Sequence, residues 1–287
     1  MAIKYVLLLI TLNTFAFALS QEVVHSSISA YAESKEYTNS VQKKDGLVYG
    51  VGADIHIGNA EYKIAYEQGG ANTTAKVPED LEMSKLFFKF DYKFDKHFSA
   101  NVNYLGVLSD NIAETDGGYA YGGGITYRFG KKLSLNFTEY FTIYNKFDVF
   151  QSDLRIDYKT KFDQVRVKFS SVTKYIYVED GNLSSSFTKN ADENYFTTGI
   201  QAHAHYKSYH LGATAYFGKR AFAIMQDGFK IQHHAMEFDR TYAIGAGKTF
   251  GDFILRAQYI YQRAEELPMS NEDVDVSTIR FITNYKF

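Results

Sequence analysis

The stretch from Leu86 to Phe94, which reads LFFKFDYKF, decides the fold. Every second residue from Leu86 onward is apolar or aromatic, and Lys89, Asp91 and Lys93 lie between them. Successive side chains of a β-strand point to opposite faces of the sheet, so a period of two residues is typical of a strand. The stretch therefore predicts a β-strand with one apolar face and one mostly charged face.

The same period recurs along the chain and predicts fourteen strands, within a range of twelve to sixteen because long connections could hide a hairpin. The predicted strands are 23–34, 46–57, 60–67, 83–94, 97–108, 118–129, 132–144, 147–160, 163–178, 195–206, 209–217, 240–250, 253–263 and 275–287. No helical period competes with them beyond residue 20. The predicted fold class is therefore all-β.

The character of the two strand faces favours a membrane barrel. In a soluble β-sandwich, two apolar faces meet inside the protein. Here the polar faces are charged and the apolar faces end in Tyr or Phe, which is typical of a transmembrane antiparallel up-and-down β-barrel with a polar lumen. We therefore expect a location in a bacterial outer membrane, surrounded by outer-membrane lipid and lipopolysaccharide.

Composition excludes several other classes of protein. The chain of 287 residues has no Cys, which excludes cysteine catalysis, disulfide frameworks and cysteine-ligated metal sites. Its net charge of −2 argues against a nucleic-acid partner. Past the N-terminus no stretch of about 18 apolar residues occurs, so helical membrane spans are not predicted.

The N-terminus has the three parts of a secretory signal peptide. Lys4 supplies the positive charge, residues 6–17 form a mostly apolar core, and Ala18 and Ser20 are small residues at the spacing that a signal peptidase reads. We predict cleavage after Ser20. Residues 21–287 would then form one outer-membrane β-barrel domain.

Short and long connections alternate between the predicted strands. The short ones are 58–59, 95–96, 130–131, 161–163, 207–208 and 251–252, and the long ones are about 35–45, 68–81, 109–117, 179–194, 218–239 and 264–273. Tight periplasmic turns and longer outside loops are typical of outer-membrane barrels. One residue conflicts with this pattern, since Glu139 falls on an apolar face, and we predict a β-bulge near Thr138 that turns it away from lipid.

The last strand ends in the sequence FITNYKF, with alternating apolar residues, Tyr285 at the third position from the end and Phe287 at the terminus. This resembles the C-terminal signature that the barrel assembly machinery reads in Gram-negative outer-membrane proteins. In size and strand number the chain is similar to monomeric fourteen-stranded porins. The resemblance implies the barrel assembly machinery as a partner, with Tyr285 and Phe287 as the assembly signal, but it implies no particular solute.

Charged and polar residues of the predicted inner face are the candidate pore lining. They are Lys89, Asp91, Arg128, Arg155, Asp157, Lys159, Arg166, Lys168, His203, His205, Arg256 and Arg280. Arg155, Arg166 and Lys168 come from adjacent strands and form a basic ladder. One hypothesis is a cationic wall that favours anions. The alternative is that the charges pair across strands and seal the lumen, because inward acids such as Asp157 are interleaved with them.

Several histidines and one His–Ser pair are candidates for metal binding or catalysis. His203 and His205 share one strand face, but lumen lining is the simpler interpretation, because no carboxylate partner is evident beside them. The neighbouring residues His233 and His234 lie in a long loop and are expected at the surface. His97-Phe98-Ser99 has the spacing of outer-membrane phospholipases but lies next to a predicted periplasmic turn. We predict no catalytic residue, no metal site and no cofactor.

Three functions remain open. The first is a porin-like channel for passive diffusion of small hydrophilic solutes, with a possible preference for anions. The second is a structural or adhesive barrel whose lumen is plugged by its loops. Segment 218–239 is long enough to fold inward, and its Phe222, Ile224, Met225, Phe229 and Ile231 are unusual for a loop in water. The third, an outer-membrane hydrolase, has the weakest support.

Overall fold

A computed structural model of the chain describes residues 25–77, 79–179 and 188–287. The described residues form a closed barrel of fourteen antiparallel strands, in which the first strand pairs with the last. This confirms the predicted fold class. The predicted signal peptide, residues 1–20, lies outside the described residues. Among the residues that are described, no helix is long and apolar enough to cross a bilayer.

Sixteen strands are numbered here in chain order, of which the two shortest, β12 and β13, form a separate hairpin. They are β1 (His25–Thr38), β2 (Lys43–Ile57), β3 (Ala60–Thr73), β4 (Leu81–Lys93), β5 (Phe98–Asp110), β6 (Tyr119–Phe129), β7 (Leu133–Ile143), β8 (Asp148–Phe162), β9 (Val165–Glu179), β10 (Asn194–Tyr206), β11 (Tyr209–Arg220), β12 (Ile224–Met225), β13 (Lys230–Ile231), β14 (Met236–Phe250), β15 (Phe253–Glu266) and β16 (Asn271–Lys286). The barrel has a short-turn end, where the termini meet, and a loop end.

Several strands extend further toward the loop end than the sequence predicts. β3 continues to Thr73 instead of ending at residue 67, and β16 begins at Asn271 instead of 275. The predicted long connections 35–45, 68–81 and 264–273 therefore shrink to 39–42, 74–80 and 267–270. The reason is that backbone pairing continues after the apolar alternation stops: residues 68–73, which read QGGANT, pair with β2, and residues 68–71 also pair with β4.

The outer surface of the barrel is apolar. Ile244, Phe281 and Leu211 are 65%, 62% and 60% exposed, and each belongs to the set of side chains that alternates away from the lumen. Aromatic residues such as Phe129 and Tyr209 stand exposed near the short-turn end of this belt. An apolar belt of this extent is unfavourable in water and suits a lipid environment with aromatic girdles.

Glu139 stays on this outer surface, so the predicted bulge near Thr138 is wrong. β7 pairs with β6 and with β8 in uninterrupted register, and Thr138 is buried on the inner face. The Glu139 carboxylate instead accepts hydrogen bonds from the hydroxyl of Ser152, at 2.8 Å to each oxygen. Since Ser152 lies directly opposite Glu139 on β8, the register that exposes the acid also supplies its partner.

Candidate functional site: the inward loop and the passage beside it

The connection between β11 and β14, residues 221–235, folds into the barrel and is named the inward loop. Ala221, Phe222 and Ala223 are fully buried, and Ile224 and Ile231 are almost so. These side chains form one hydrophobic cluster with inner-face residues of β4 to β11. The segment that the sequence marks as unusually apolar thus lies in the lumen, where its apolar side chains are removed from water.

Two side chains of the barrel wall hold the first half of the inward loop through its backbone. The amide N–H of Ile224 donates to Gln151 Oε1 at 2.7 Å, and the carbonyl of Ile224 accepts from Gln151 Nε2 at 2.8 Å. The same carbonyl accepts from Lys174 Nζ at 3.0 Å, and the Lys174 ammonium also pairs with Asp153. Because buried backbone groups are costly when unpaired, this two-sided contact favours one position of the loop over others.

The tip of the inward loop reaches the far wall of the barrel. Phe229 packs on Phe87 of β4, with ring centroids 3.6 Å apart. Gly228 adopts φ +98°, and a Cβ there would lie 3.3 to 3.5 Å from atoms of Phe87, Asn103 and Tyr140. Glycine suits this position because it allows both the left-handed backbone and the close approach. The loop therefore crosses the lumen from β11 and β14 to β4, β5 and β7.

Asp227 joins the inward loop to the basic ladder. Both of its carboxylate oxygens accept hydrogen bonds from Arg155 Nη1 at 2.7 Å. Burial in the lumen acts to raise the pKa of Asp227, but the positive charge of Arg155, assisted by Lys89 and Lys174, outweighs it and holds the pKa below its ordinary value. The carboxylate is therefore ionised at neutral pH, and the ion pair forms a charge-assisted link between loop and wall.

A second charged link holds the loop on the opposite side of its tip. Lys230 Nζ lies 3.0 Å from Glu33 Oε2 on β1, and Glu33 is fully buried. Glu33 also accepts from Arg280 Nε at 2.7 Å and lies 3.6 Å from the Lys35 ammonium. One buried carboxylate, Glu33, thus contacts three cations: Lys230, Arg280 and Lys35. This cluster of four side chains therefore carries net positive charge beside the lumen.

A cavity of about 380 Å³ lies between the inward loop and the wall formed by β8 to β16. Five of its described lining residues are cationic and one is acidic, and several are amides. The charged ones are Arg155, Lys174, Arg220, Lys230, Arg280 and Asp227. Asp227 keeps 60% of its side chain exposed, so this face of the loop borders open space rather than packed protein. The lining is polar enough to hold water.

The structure brings part of the predicted basic ladder into ion pairs. Arg155 Nε lies 2.8 Å from Asp157 Oδ1, and Lys168 Nζ lies 3.6 Å from the other oxygen of Asp157. On β4, Lys89 contacts Asp91 at 3.5 Å. Of these three contacts, only Lys168–Asp157 crosses strands, and each acid neutralises part of the positive charge of its neighbours.

Other predicted lining residues have no acidic partner within 4 Å among the described residues. They are Lys159, Arg166 and Arg256, together with Arg128, which donates to Ser99 Oγ at 3.0 Å. By strand alternation all four share the inner face with the ladder and lie toward the short-turn end. These four cations therefore place unpaired positive charge at the short-turn end of the lumen.

Of the two histidines predicted as lining, His205 contacts a neighbouring histidine, His210, and His203 contacts no histidine among the described residues. His205 Nδ1 and His210 Nδ1 lie 2.7 Å apart, and His210 Nε2 contacts Thr249 Oγ1 at 2.7 Å. His203 lies on the same face of β10 and borders the cavity. At the turn before β5, His97 Nδ1 contacts the carbonyl oxygen of Arg128 at 2.9 Å. His97 and Ser99 thus contact Arg128 separately.

Sequence reasoning missed several charged residues that position the inward loop. Glu33 and Lys35 were placed at or beyond the end of the first strand, but both lie on the inner face of the longer β1. Asp227 and Lys230 lie in a connection, where no alternation indicates which way a side chain points. Arg220, fully buried beside the cavity, was likewise placed outside β11; its Nε and Nη1 atoms have no hydrogen-bond partner among the described residues.

Comparison with known proteins adds fold-level relatives. No protein-family model matches the chain, and no curated protein sequence matches it significantly. Among solved structures, a bacterial polysaccharide outer membrane secretin matches with a TM-score of 0.57 and 7% identity, covering 91% of this chain and 98% of that one. Omp33, an outer membrane protein of Acinetobacter baumannii, matches with a TM-score of 0.52 and 8% identity over 93% and 100% of the two chains. The Ralstonia pickettii toluene transporter TbuX gives 0.51 and 12% over 94% and 90%.

The chain has the fold of a bacterial outer-membrane β-barrel. At 7–12% identity the likeness is one of fold, and the apolar belt of the exterior agrees with it. Closed antiparallel barrels with such a belt span the outer membrane, so the protein is an outer-membrane barrel.

Proposed function

We propose that this outer-membrane barrel is a channel for small hydrophilic solutes, and that the passage runs beside the inward loop. The observation that supports the proposal most is the polar cavity of about 380 Å³ between the loop and the wall of β8 to β16. A barrel of this strand number leaves room for a water-filled path once its side chains are placed. The inward loop narrows that path and borders it mainly with polar residues, because its apolar residues pack into the hydrophobic cluster; Met225 borders both.

We further propose that the passage prefers anions. Arg166, Arg256 and Lys159 have no acidic partner among the described residues, so their charge is not cancelled locally. Such charges act over about 8–10 Å at physiological salt, which is comparable with the width of a passage beside the loop. The ladder residues Arg155 and Lys168 contribute less, because they share Asp157.

The test is the reversal potential of the refolded barrel in a planar bilayer with a salt gradient. We expect single-channel steps and a reversal potential on the anion-selective side. Neutralising Arg166 and Arg256 together to Gln should move it toward cation preference, most visibly at low salt. Lys131→Gln is the matched control, since this cation lies exposed in the turn between β6 and β7, outside the lumen. A wild-type channel that prefers cations would remove the anion proposal.

A structural barrel with a plugged lumen is the second candidate, and the burial of the inward loop favours it. Phe222 and Ile224 are packed into the wall, and Gln151 and Lys174 hold the loop from one side. In this case the cavity beside the loop is closed at one end and carries no current. The reconstituted barrel must first show the heat-modifiable gel mobility of a folded barrel. If it then gives no conductance steps, the result favours this candidate over the channel.

A further inference from the structure

Three side chains with metal-binding atoms meet where the inward loop ends. Asp110 is the last residue of β5, and His233 and His234 precede β14. His233 Nε2 lies 3.0 Å from Asp110 Oδ2, and His234 Nε2 lies 3.8 Å from the same oxygen. All three ligand atoms lie within 4.8 Å of one another. In tetrahedral coordination with bonds of about 2.0–2.1 Å, neighbouring ligand atoms lie about 3.3 Å apart, so these separations need little adjustment.

His233 is buried and the His234 side chain is only 20% exposed, so the expectation that both lie at the surface is wrong. His233 is 3% exposed, and neither Nε2 atom makes a well-aligned hydrogen bond among the described residues, although His233 Nε2 lies 3.0 Å from Asp110 Oδ2. A buried ring nitrogen without a partner is costly, so its position calls for a ligand.

Neighbouring groups orient these side chains. His233 Nδ1 lies 3.4 Å from the carbonyl oxygen of Ile231, an arrangement that keeps the ring proton on Nδ1 and leaves Nε2 free to bind a metal. The Asp110 carboxylate accepts from the Thr115 hydroxyl at 2.8 Å and from the Ile112 amide at 3.0 Å. Metal-binding side chains are commonly held in this way by a second set of hydrogen bonds.

The ammonium group of Lys43 contacts one of these side chains, and a bound metal ion would have to tolerate its positive charge. Lys43 Nζ lies 3.5 Å from His234 Nδ1, the ring atom on the side away from Asp110, and 3.3 Å from the sulfur of Met236. When His234 binds a metal through Nε2, its proton lies on Nδ1, and the ammonium keeps Met236 as its contact. Two further cations nearby are paired with acids: Lys85 with Glu67 at 3.1 Å and Lys35 with Glu33 at 3.6 Å.

We propose that Asp110, His233 and His234 form a binding site for one divalent transition-metal ion of the Zn²⁺ class. Two imidazole nitrogens and one carboxylate oxygen form a ligand set that suits Zn²⁺, and three protein ligands leave one position for water. β5 and β14 lie on opposite sides of the barrel in strand order. The ion therefore ties the end of the inward loop to the strand across the lumen. This site does not depend on whether the barrel conducts.

The test measures binding of Zn²⁺ and Co²⁺ to the folded, detergent-solubilised barrel. We expect one Zn²⁺ per chain by titration calorimetry, and visible absorption of tetrahedral Co²⁺ that Zn²⁺ displaces. His233→Ala should weaken binding by at least about 100-fold, since loss of a direct ligand exceeds the effect of losing its supporting hydrogen bond. His205→Ala is the matched control, because His205 is also an inner-face histidine beside a second one, and it should leave the stoichiometry unchanged.

A second variant keeps the test decisive if His233→Ala fails to fold. Asp110→Asn retains the size of the side chain and removes one metal-binding charge, so it should weaken binding while the barrel keeps its heat-modifiable mobility. The proposal is overturned if the wild-type barrel shows no saturable Zn²⁺ binding up to about 1 mM. It is equally overturned if binding survives His233→Ala and Asp110→Asn but is lost in His205→Ala, which would place the ion at the histidine pair near the short-turn end.

Discussion

Removing the inward loop should widen the passage, and the structure supplies the size of the effect. Arg220 pairs directly with Phe238 across β11 and β14, so a Gly-Ser-Gly linker in place of residues 221–235 can close the hairpin. The barrel strands themselves stay unchanged in this variant.

The present passage can be estimated from its volume. If the cavity of about 380 Å³ extends over about 10 Å, the thickness of one packed β layer, its mean cross-section is about 40 Å². A fourteen-stranded barrel has a backbone diameter of roughly 28 Å, and side chains leave about half of it, or roughly 150 Å². The strands span about 35 Å of pore length at a tilt of about 40°. Since the loop narrows only part of that length, its removal should raise conductance about twofold.

Single-channel recording in concentrated KCl measures this change. The control keeps the loop at full length but replaces Phe222 by Leu, which conserves an apolar contact and should leave conductance within experimental scatter. Both variants need the heat-modifiable mobility of a folded barrel before they are compared. Equal conductance with and without residues 221–235 would show that the loop does not limit the passage, and the reasoning from the cavity would be refuted.

Three further predictions concern the barrel wall, its assembly and its pH response. Phe90→Arg on the lipid face should lower the free energy of unfolding by about 2–4 kcal/mol, measured by denaturant unfolding from lipid vesicles. Lys89→Gln on the inner face should change it far less. Equal losses would mean that the two faces are wrongly assigned. Deletion of Phe287 should lower the amount of barrel in the outer membrane of cells, measured by fractionation, and unchanged levels would count against an assembly signal. Because the pKa of Asp227 lies below its ordinary 3.8, its pair with Arg155 is fully present above that pH and is lost only as pH falls further. This link should therefore hold the loop from about pH 7 to pH 5, and current noise from loop undocking should appear only under strong acid in single-channel records.

Alternation predicts the membrane-spanning part of the fold well, because every second side chain faces lipid and must be apolar. Residues 86–94 alternate as the structure places them, with Phe90 outside and Lys89 inside, against Asp91. The pattern fails beyond the apolar belt, where hydrogen-bonded pairing continues through polar residues such as those at 68–73. There the outer face meets water instead of lipid, so no apolar alternation marks where the strand ends.

The candidate site was harder to predict for a different reason. The composition of segment 218–239 indicates that it avoids water, but it contains no periodicity that says where Asp227 or Lys230 point. Their partners Arg155 and Glu33 lie 72 and 197 residues away in sequence. Such pairs depend on closure of the whole barrel, so local patterns carry no information about them.

The distances in sequence between the inward loop and its partners also constrain the order of folding. The loop follows β8 in the chain, but Glu33 lies on the first strand and Arg280 on the last, and these two residues meet only when β1 and β16 pair. Contacts between distant parts of a chain form slowly, because the intervening segment must first be brought together. Docking of the loop should therefore complete only after the last strand has closed the ring. Until then the periplasmic chain has no closed lumen in which Phe222 and Ile224 can be buried. These exposed apolar side chains should therefore make the loop prone to aggregation.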